Sequence, residues 1–368
     1  MRIAIVGAGI VGASAGYEAA RSGAEVVLVD ADFDGKATAA GAGILSPWTS
    51  SVTDLAWLTL ALRGVRHYRE LRAALAEDGE HEIGYRRVGA LRLVTEDDAE
   101  SVLDRTRHRA GTDPDAGEIQ LIPRSRARAL FPPLDPHGGA AVYVGGAGRV
   151  DGRQVTESLL RAAEGRGAKR HIGTASLLTT GTAVSGVQVG DELIEADAVI
   201  VAAGAWAPRL LAPLGIETAV RTQRGQIVHL GLPGIDTADW PVVLPANGHY
   251  LLAFDDSRVV VGATREHDTG FDYRATAAGL TEVLHQALTI APELANATHL
   301  ETRIGFRPMS PDSRPLLGTV PGHEGLVIAN GLGPSGLTMG PYVGKLAADL
   351  ARGVEPDLEL APYDPLRW

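Results

Sequence analysis

The sequence predicts a two-domain chain of mixed α/β and α+β class. One domain is built on a parallel β-α-β start; the other carries a second sheet. Three observations carry this. Residues 2–30 read strand, glycine turn, helix, strand. Residues 221–230, 250–254 and 258–263 read as strands of a second sheet. Apolar strands of the first kind return at 197–204 and 325–329 with no repeat or low-complexity linker between them, so the domains interleave. The first domain is assigned residues 1–82, 149–217 and 302–368, and the second residues 83–148 and 218–301.

Taken in order, Arg2–Val6 is a short β-branched run closed by Gly7, and residues 13–22 carry helical spacing. Glu25–Asp30 is a second apolar strand. Two such runs about one helix form a right-handed crossover whose strands are buried on both faces. Residues 38–51, rich in Ala, Gly, Ser and Thr, suit a loop or a tightly packed helix start. Leu55, Leu58, Leu62, Val65, Tyr68, Leu71 and Leu75 recur at three-and-four spacing, which predicts a long helix over 53–77. Strands are expected at 86–95 and 140–144, with a polar helix at 97–107 and a Pro-rich connector at 131–136 between them. A helix follows at 155–165, then short strands with glycine turns over 169–193. Helices are expected at 276–291 and 340–352.

Composition narrows the function. There are 45 glycines in 368 residues, about 12% against an average near 7%. Lys+Arg 34 against Asp+Glu 45 leaves a net charge of −11, which gives no long-range attraction to nucleic acid or anionic lipid. Cysteine is absent, which removes disulfides, thiolate metal sites, a Cys nucleophile and any thioether-linked cofactor. No run of 18 apolar residues spans a membrane, the N-terminus does not read as a signal peptide, and a cytoplasmic location is the expectation. The histidines show no metal-ligand spacing, so no metal is expected. The acidic face carrying Asp54, Glu70, Glu77, Asp78, Glu80 and Glu82 reads as solvated surface.

Gly7-Ala8-Gly9-Ile10-Val11-Gly12 is G-x-G-x-x-G between a strand and a helix, and Asp30 closes the second strand 18 residues after Gly12. This is a Rossmann-like dinucleotide signature. Gly7 permits the tight turn, Gly9 lets backbone approach a pyrophosphate, and Gly12 lets helix and strand pack closely. The pyrophosphate would sit at the helix N-terminus, and Asp30 would accept from a ribose. An acid there disfavours a 2′-phosphate, which leaves FAD and NAD.

Further segments discriminate between these. Residues 37–45 (Ala-Thr-Ala-Ala-Gly-Ala-Gly-Ile-Leu), 199–206 (Val-Ile-Val-Ala-Ala-Gly-Ala-Trp), 259–264 (Val-Val-Val-Gly-Ala-Thr), 305–308 (Gly-Phe-Arg-Pro) and 330–340 (Asn-Gly-Leu-Gly-Pro-Ser-Gly-Leu-Thr-Met-Gly) stand in this order. Together they resemble the D-amino-acid oxidase superfamily of FAD-dependent amine oxidoreductases, especially its glycine oxidase and D-amino-acid dehydrogenase branch. The resemblance implies an interrupted Rossmann-like FAD-binding domain roofed by a substrate domain with a mixed, largely antiparallel sheet, with FAD held non-covalently. It places Gly7, Gly9, Ile10, Val11, Gly12, Asp30 and Ala31 on the adenosine side. Ala37, Thr38, Ala42, Gly43 and Ile44 fall along the pyrophosphate and flavin, Ala175 at the adenine, and Gly204 where a strand ends beside the cofactor. Leu332, Gly333, Pro334, Ser335, Gly336, Leu337 and Thr338 form the turn and helix start at the flavin pyrimidine edge, where reduced flavin gathers negative charge.

The resemblance also names two catalytic residues. Arg307, in Gly-Phe-Arg-Pro, matches an arginine that forms a bidentate pair with a substrate carboxylate, for which a planar fork suits better than a lysine. Tyr250 matches a tyrosine whose hydroxyl reaches the same group. Taken alone, the first would be one more structural arginine and the second a core tyrosine at a sheet edge. Two departures matter. Glycine oxidases carry a second substrate-facing Arg where this chain has Pro334, and Arg265 falls where they have an apolar side chain. Arg224 and Gln226 are further candidates for the pocket, where an extra arginine favours an acidic substrate or one with an additional carboxylate.

The implied reaction oxidises the CH–NH2 bond of a small amino acid, D-configured or glycine-like. Hydride passes from Cα to flavin N5, and the imino acid hydrolyses to a keto acid and ammonia. A dry pocket favours the neutral amine this step requires. A secondary amine such as sarcosine or proline is the alternative with the same cofactor. Outside that class stand an NAD-linked dehydrogenase and a flavin-binding partner without turnover. The partners expected are a carboxylate-bearing amine and an electron acceptor, oxygen or a quinone or carrier.

Overall fold

The computed structural model describes residues 1–368. Its first sheet has six strands in the order Leu316–Val320, His323–Asn330, Ala198–Val201, Arg2–Val6, Glu25–Asp30 and Lys169–Ile172. All pairs are parallel except Leu316–Val320 against His323–Asn330. Ile3, Ala4, Ile5 and Val6 are buried on both faces, the pattern that forces a parallel strand to the centre. Helices Ile10–Arg21, Gly152–Gly165 and Gly336–Ala351 cover one face with a single apolar core. The three-stranded meander of Ala175–Thr180, Ala183–Val189 and Glu192–Glu195 covers the other.

The second sheet has eight strands in the order Thr298–Met309, Arg221–Gly231, Arg258–Gly262, Tyr250–Phe254, Val242–Leu244, Ala90–Leu93, Ala141–Val144 and Ile119–Ile122. It is antiparallel except where Val242–Leu244 meets Ala90–Leu93. Helix Ala277–Ile290 packs behind it around Val283 and Ala287. The 12-residue strand Thr298–Met309 lies wholly in this sheet, so it runs across residue 302.

The expected strand at 86–95 is divided into Tyr85–Arg87 and Ala90–Leu93, because Gly89 takes a positive φ that breaks the run. Residues 38–51 hold neither option whole: they give a short strand, Ile44–Leu45, and one 3₁₀ turn, Pro47–Thr49. The last helix begins at Gly336, four residues before its expected start at 340, so its N-terminus falls inside the glycine-rich segment. Asp54 is not simply solvated. It caps helix Leu55–Glu77 through the Trp57 N–H at 2.7 Å and pairs with Arg314.

Candidate active site

One cavity of about 460 Å³ runs from the carboxyl ends of Arg2–Val6 and Glu25–Asp30 to the inner face of the eight-stranded sheet. It begins where the strands neighbouring Arg2–Val6 carry the chain in opposite directions, the switch point at which open α/β sheets bind ligands. The N-terminal half of its wall is mostly backbone. Helix Ile10–Arg21 starts at Gly9 with no side-chain cap. The Ile10 N–H is taken by Thr38 Oγ1 at 3.0 Å. The N–H group of Val11 has no protein partner and is free for an anion. By contrast, Asp151 caps helix Gly152–Gly165 through two N–H groups.

Of the residues assigned to the cofactor from sequence, all but Gly12, Ser335 and Thr338 line this cavity. Gly12 sits behind the wall, and a Cβ there would collide with the Gly7 carbonyl. Ser335 is buried as the N-cap residue of the last helix. Thr338 donates to the Ile44 carbonyl at 3.0 Å and ties the helix start to the facing loop. Gly204 and Gly336 face open space where a Cβ would meet nothing within 4 Å.

Asp30 accepts from the N–H of Ala8 at 2.6 Å and of Asp32 at 2.7 Å, and pairs with Lys36 at 2.8 Å. Burial pushes its carboxyl up, but the Lys36 and backbone donors outweigh burial and hold it below the usual carboxylate range. It is therefore an anion with acceptor capacity left toward the cavity.

The chain matches the DAO family, described as FAD dependent oxidoreductase, over residues 2–350. It belongs to that family. It is 47% identical over 366 residues to the oxidoreductase YurR of Bacillus subtilis, covering 98% of this chain and 97% of that one. It is 30% identical over 369 residues to a glycine oxidase of Pseudomonas putida, covering 99% and 98%. Iminodiacetate oxidase from Chelativorans sp. BNC1 superposes with a TM-score of 0.96 at 48% identity, covering 99% of each chain. The protein is thus an FAD-dependent amine oxidoreductase, and the glycine-walled groove with its free N–H group fits the dinucleotide.

At the far end the DAO-family cavity is lined by side chains of the second sheet. Gln223 pairs with Arg307 in register, Gly225 with Gly305, and both Ile227 and Tyr250 with Gly262. This brings Arg307, Gly225, Ile227 and Tyr250 onto one face. The Arg307 guanidinium lies over Gly225, where a Cβ would come within 2.6 Å of it, and the Tyr250 hydroxyl lies over Gly262, where a Cβ would come within 2.7 Å. Two glycines inside strands make room for the two polar groups. A glycine interrupting a strand pattern is the sequence signal that could have found this place, and sequence reasoning did not use it.

Arg307 donates to Gln223 Oε1 at 3.0 Å and the Thr264 carbonyl at 3.1 Å, both neutral acceptors. Burial pushes its guanidinium below the usual value and Arg265 adds to this; the Tyr250 hydroxyl and Glu266 pull the other way. Burial likewise raises the Tyr250 hydroxyl, which stays protonated and able to donate. Arg265 also lines the cavity, and its guanidinium donates to the Gly248 carbonyl at 2.6 Å. Arg224 and Gln226 do not reach the cavity. Arg224 is buried against Glu266 and Asp272, and Gln226 against Glu266 and Thr276. Pro334 lines the wall and contributes no charge. Sequence reasoning did not single out Phe33, Lys36 or Phe306, all of which line the cavity.

Proposed function

We propose that this protein oxidises the C–N bond of a small amine that carries two carboxylates, one on each side of the nitrogen. The observation behind this reading is that Arg307 and Arg265 enter one cavity and neither has a carboxylate partner, while Arg224 nearby has two. A cationic fork left with neutral acceptors in a partly apolar pocket favours an anionic ligand group. Two forks call for two such groups. The likeness to an iminodiacetate oxidase supports the reading, since that protein's named substrate is a secondary amine with two carboxylates.

In this reading Arg307 and Tyr250 hold the carboxylate next to the reacting carbon, and Arg265 holds the distal one. Gly225 and Gly262 leave room for the Arg307 guanidinium and the Tyr250 hydroxyl to lie against the sheet. Ile227 and Phe306 keep the reacting carbon dry, which favours the uncharged amine. When bound, FAD supplies the electron acceptor for the hydride leaving that carbon. Hydrolysis of the resulting imine gives a 2-oxo acid and the released amine. Orientation by the clamps supplies much of the rate, since fixed geometry alone contributes about 7–11 kcal/mol.

The test is anaerobic reduction of the purified holoenzyme, followed by loss of its visible absorption. Iminodiacetate is expected to bleach the flavin at least tenfold faster, at limiting concentration, than sarcosine, glycine or D-alanine. Equal or faster bleaching by a monocarboxylate would overturn the reading and return the site to the small-amino-acid class. Repeating the assay in air shows whether oxygen accepts the electrons.

A further inference from the structure

Glu266 follows Arg265 directly in the chain, and Thr264 joins it to Arg307: the Thr264 hydroxyl donates to Glu266 at 2.7 Å and its carbonyl accepts from Arg307 at 3.1 Å. Left free, Glu266 would be an internal rival to any substrate carboxylate. The structure gives it no freedom. Oε2 accepts from Arg224 Nη2 at 2.5 Å and Nε at 3.2 Å, and Oε1 accepts from Gln226 Nε2 at 2.7 Å and Thr264 Oγ1 at 2.7 Å. Burial raises the Glu266 carboxyl, but these donors overcome burial and hold it below its usual range, so it remains a charged carboxylate with both oxygens occupied.

The backbone is fixed at the same place. Arg224 and Glu266 exchange both main-chain hydrogen bonds at 2.9 Å, an isolated antiparallel bridge. Neighbouring residues of an extended segment point to opposite sides. With Glu266 turned back onto Arg224, Arg265 is turned toward the cavity. Arg224 also takes Asp272, through its carboxylate at 2.8 Å and its carbonyl at 3.0 Å. The second acid of this segment is thereby held off as well. Arg224 is 5% exposed and does not itself line the cavity.

We infer that Arg224 is a positioning residue whose task is to withhold Glu266 from Arg307 and Arg265, so that both guanidiniums stay available for substrate carboxylates. The inference deepens the two-carboxylate reading and rests on it only for the second clamp, since freeing Glu266 would also compete at Arg307. Two non-reacting probes separate the cases: acetate for one clamp and malonate for both. Each is titrated into the holoenzyme while the flavin spectrum reports binding.

Arg224→Met is expected to weaken malonate binding at least tenfold with FAD still bound. Arg224→Met combined with Glu266→Gln is expected to recover to within about threefold of the wild type, because the rival charge is gone. A double variant as weak as the single one would overturn the inference, and so would a loss of malonate binding that merely tracks a fall in melting temperature across the variants, since an unpaired buried Glu266 also destabilises the fold. Arg224→Lys, which keeps the charge and loses the fork, supplies the same comparison with and without Glu266→Gln if the Met variant does not fold. If malonate binds no tighter than acetate to the wild type, the two-carboxylate reading fails, and acetate binding in the same variants still decides the role of Arg224.

Discussion

The two ends of the cavity are made of different material. The nucleotide end is backbone: the uncapped N–H group of Val11, and glycines at 7, 9, 43, 204 and 336. The substrate end is side chain: Arg307, Tyr250 and Arg265 displayed on or beside a sheet. Backbone cannot be exchanged by mutation, so the first end tolerates change poorly and recognises a constant ligand. Side chains can be exchanged one at a time, so in the proposed reading specificity resides at the second end.

This contrast can be tested by substitution at each end. Arg307→Met should be the most damaging change that leaves the protein yellow. Losing two charge-assisted hydrogen bonds, at about 1.5–3 kcal/mol each, lowers kcat/KM for the amine by roughly a thousandfold. Steady-state turnover at full FAD occupancy checks it. Gly12→Ala should act on the other end. The added methyl collides with the Gly7 carbonyl, and overpacking of up to about 3 kcal/mol corresponds to roughly a hundredfold weaker FAD binding. Flavin retained after gel filtration reads this directly. If Gly12→Ala keeps its flavin while losing turnover, the division of labour is wrong.

Arg265→Met should divide the substrate end itself. About thirtyfold loss of kcat/KM on a two-carboxylate amine, with less than threefold change on sarcosine, is the expected pattern for loss of one charge-assisted contact. The smallest effect belongs to Asp30. Its folded carboxyl lies below the unfolded value of about 3.9, so it stabilises fully above that pH. The contribution is lost as the pH falls through the folded value. Asp30→Asn should therefore cost about 1 kcal/mol near neutrality, and the difference should shrink below about pH 4. Thermal melts of both proteins across pH 3–7 measure it.

The two ends were also unequally legible in the sequence. Glycine turns are local, and the run from Gly7 to Gly12 declared itself between a strand and a helix. The charges at the substrate end are non-local. Nothing in the order of residues shows that Arg224 turns away onto Glu266 while Arg265 turns inward, because the decision lies in pairing between segments some forty residues apart. The strand Thr298–Met309 was hidden for a related reason. Its first three residues are exposed and polar at two of three positions, so no alternation announces it, and only its pairing with Arg221–Gly231 makes it a strand. Ile119–Ile122 is a four-residue edge strand whose Gln120 dilutes the pattern.

That same strand, Thr298–Met309, joins the two halves by more than its place in the sheet. Phe306 bridges to Lys36 on the nucleotide side, and Met309 bridges to Leu332 beside the start of the last helix. Arg307 lies between these two fastenings. At about 3.4 Å per residue, the segment from Phe306 to Met309 is a covalent ruler of about 10 Å, pinned at both ends. A rigid swing of one half against the other cannot lengthen it, so Arg307 keeps its distance from the nucleotide half.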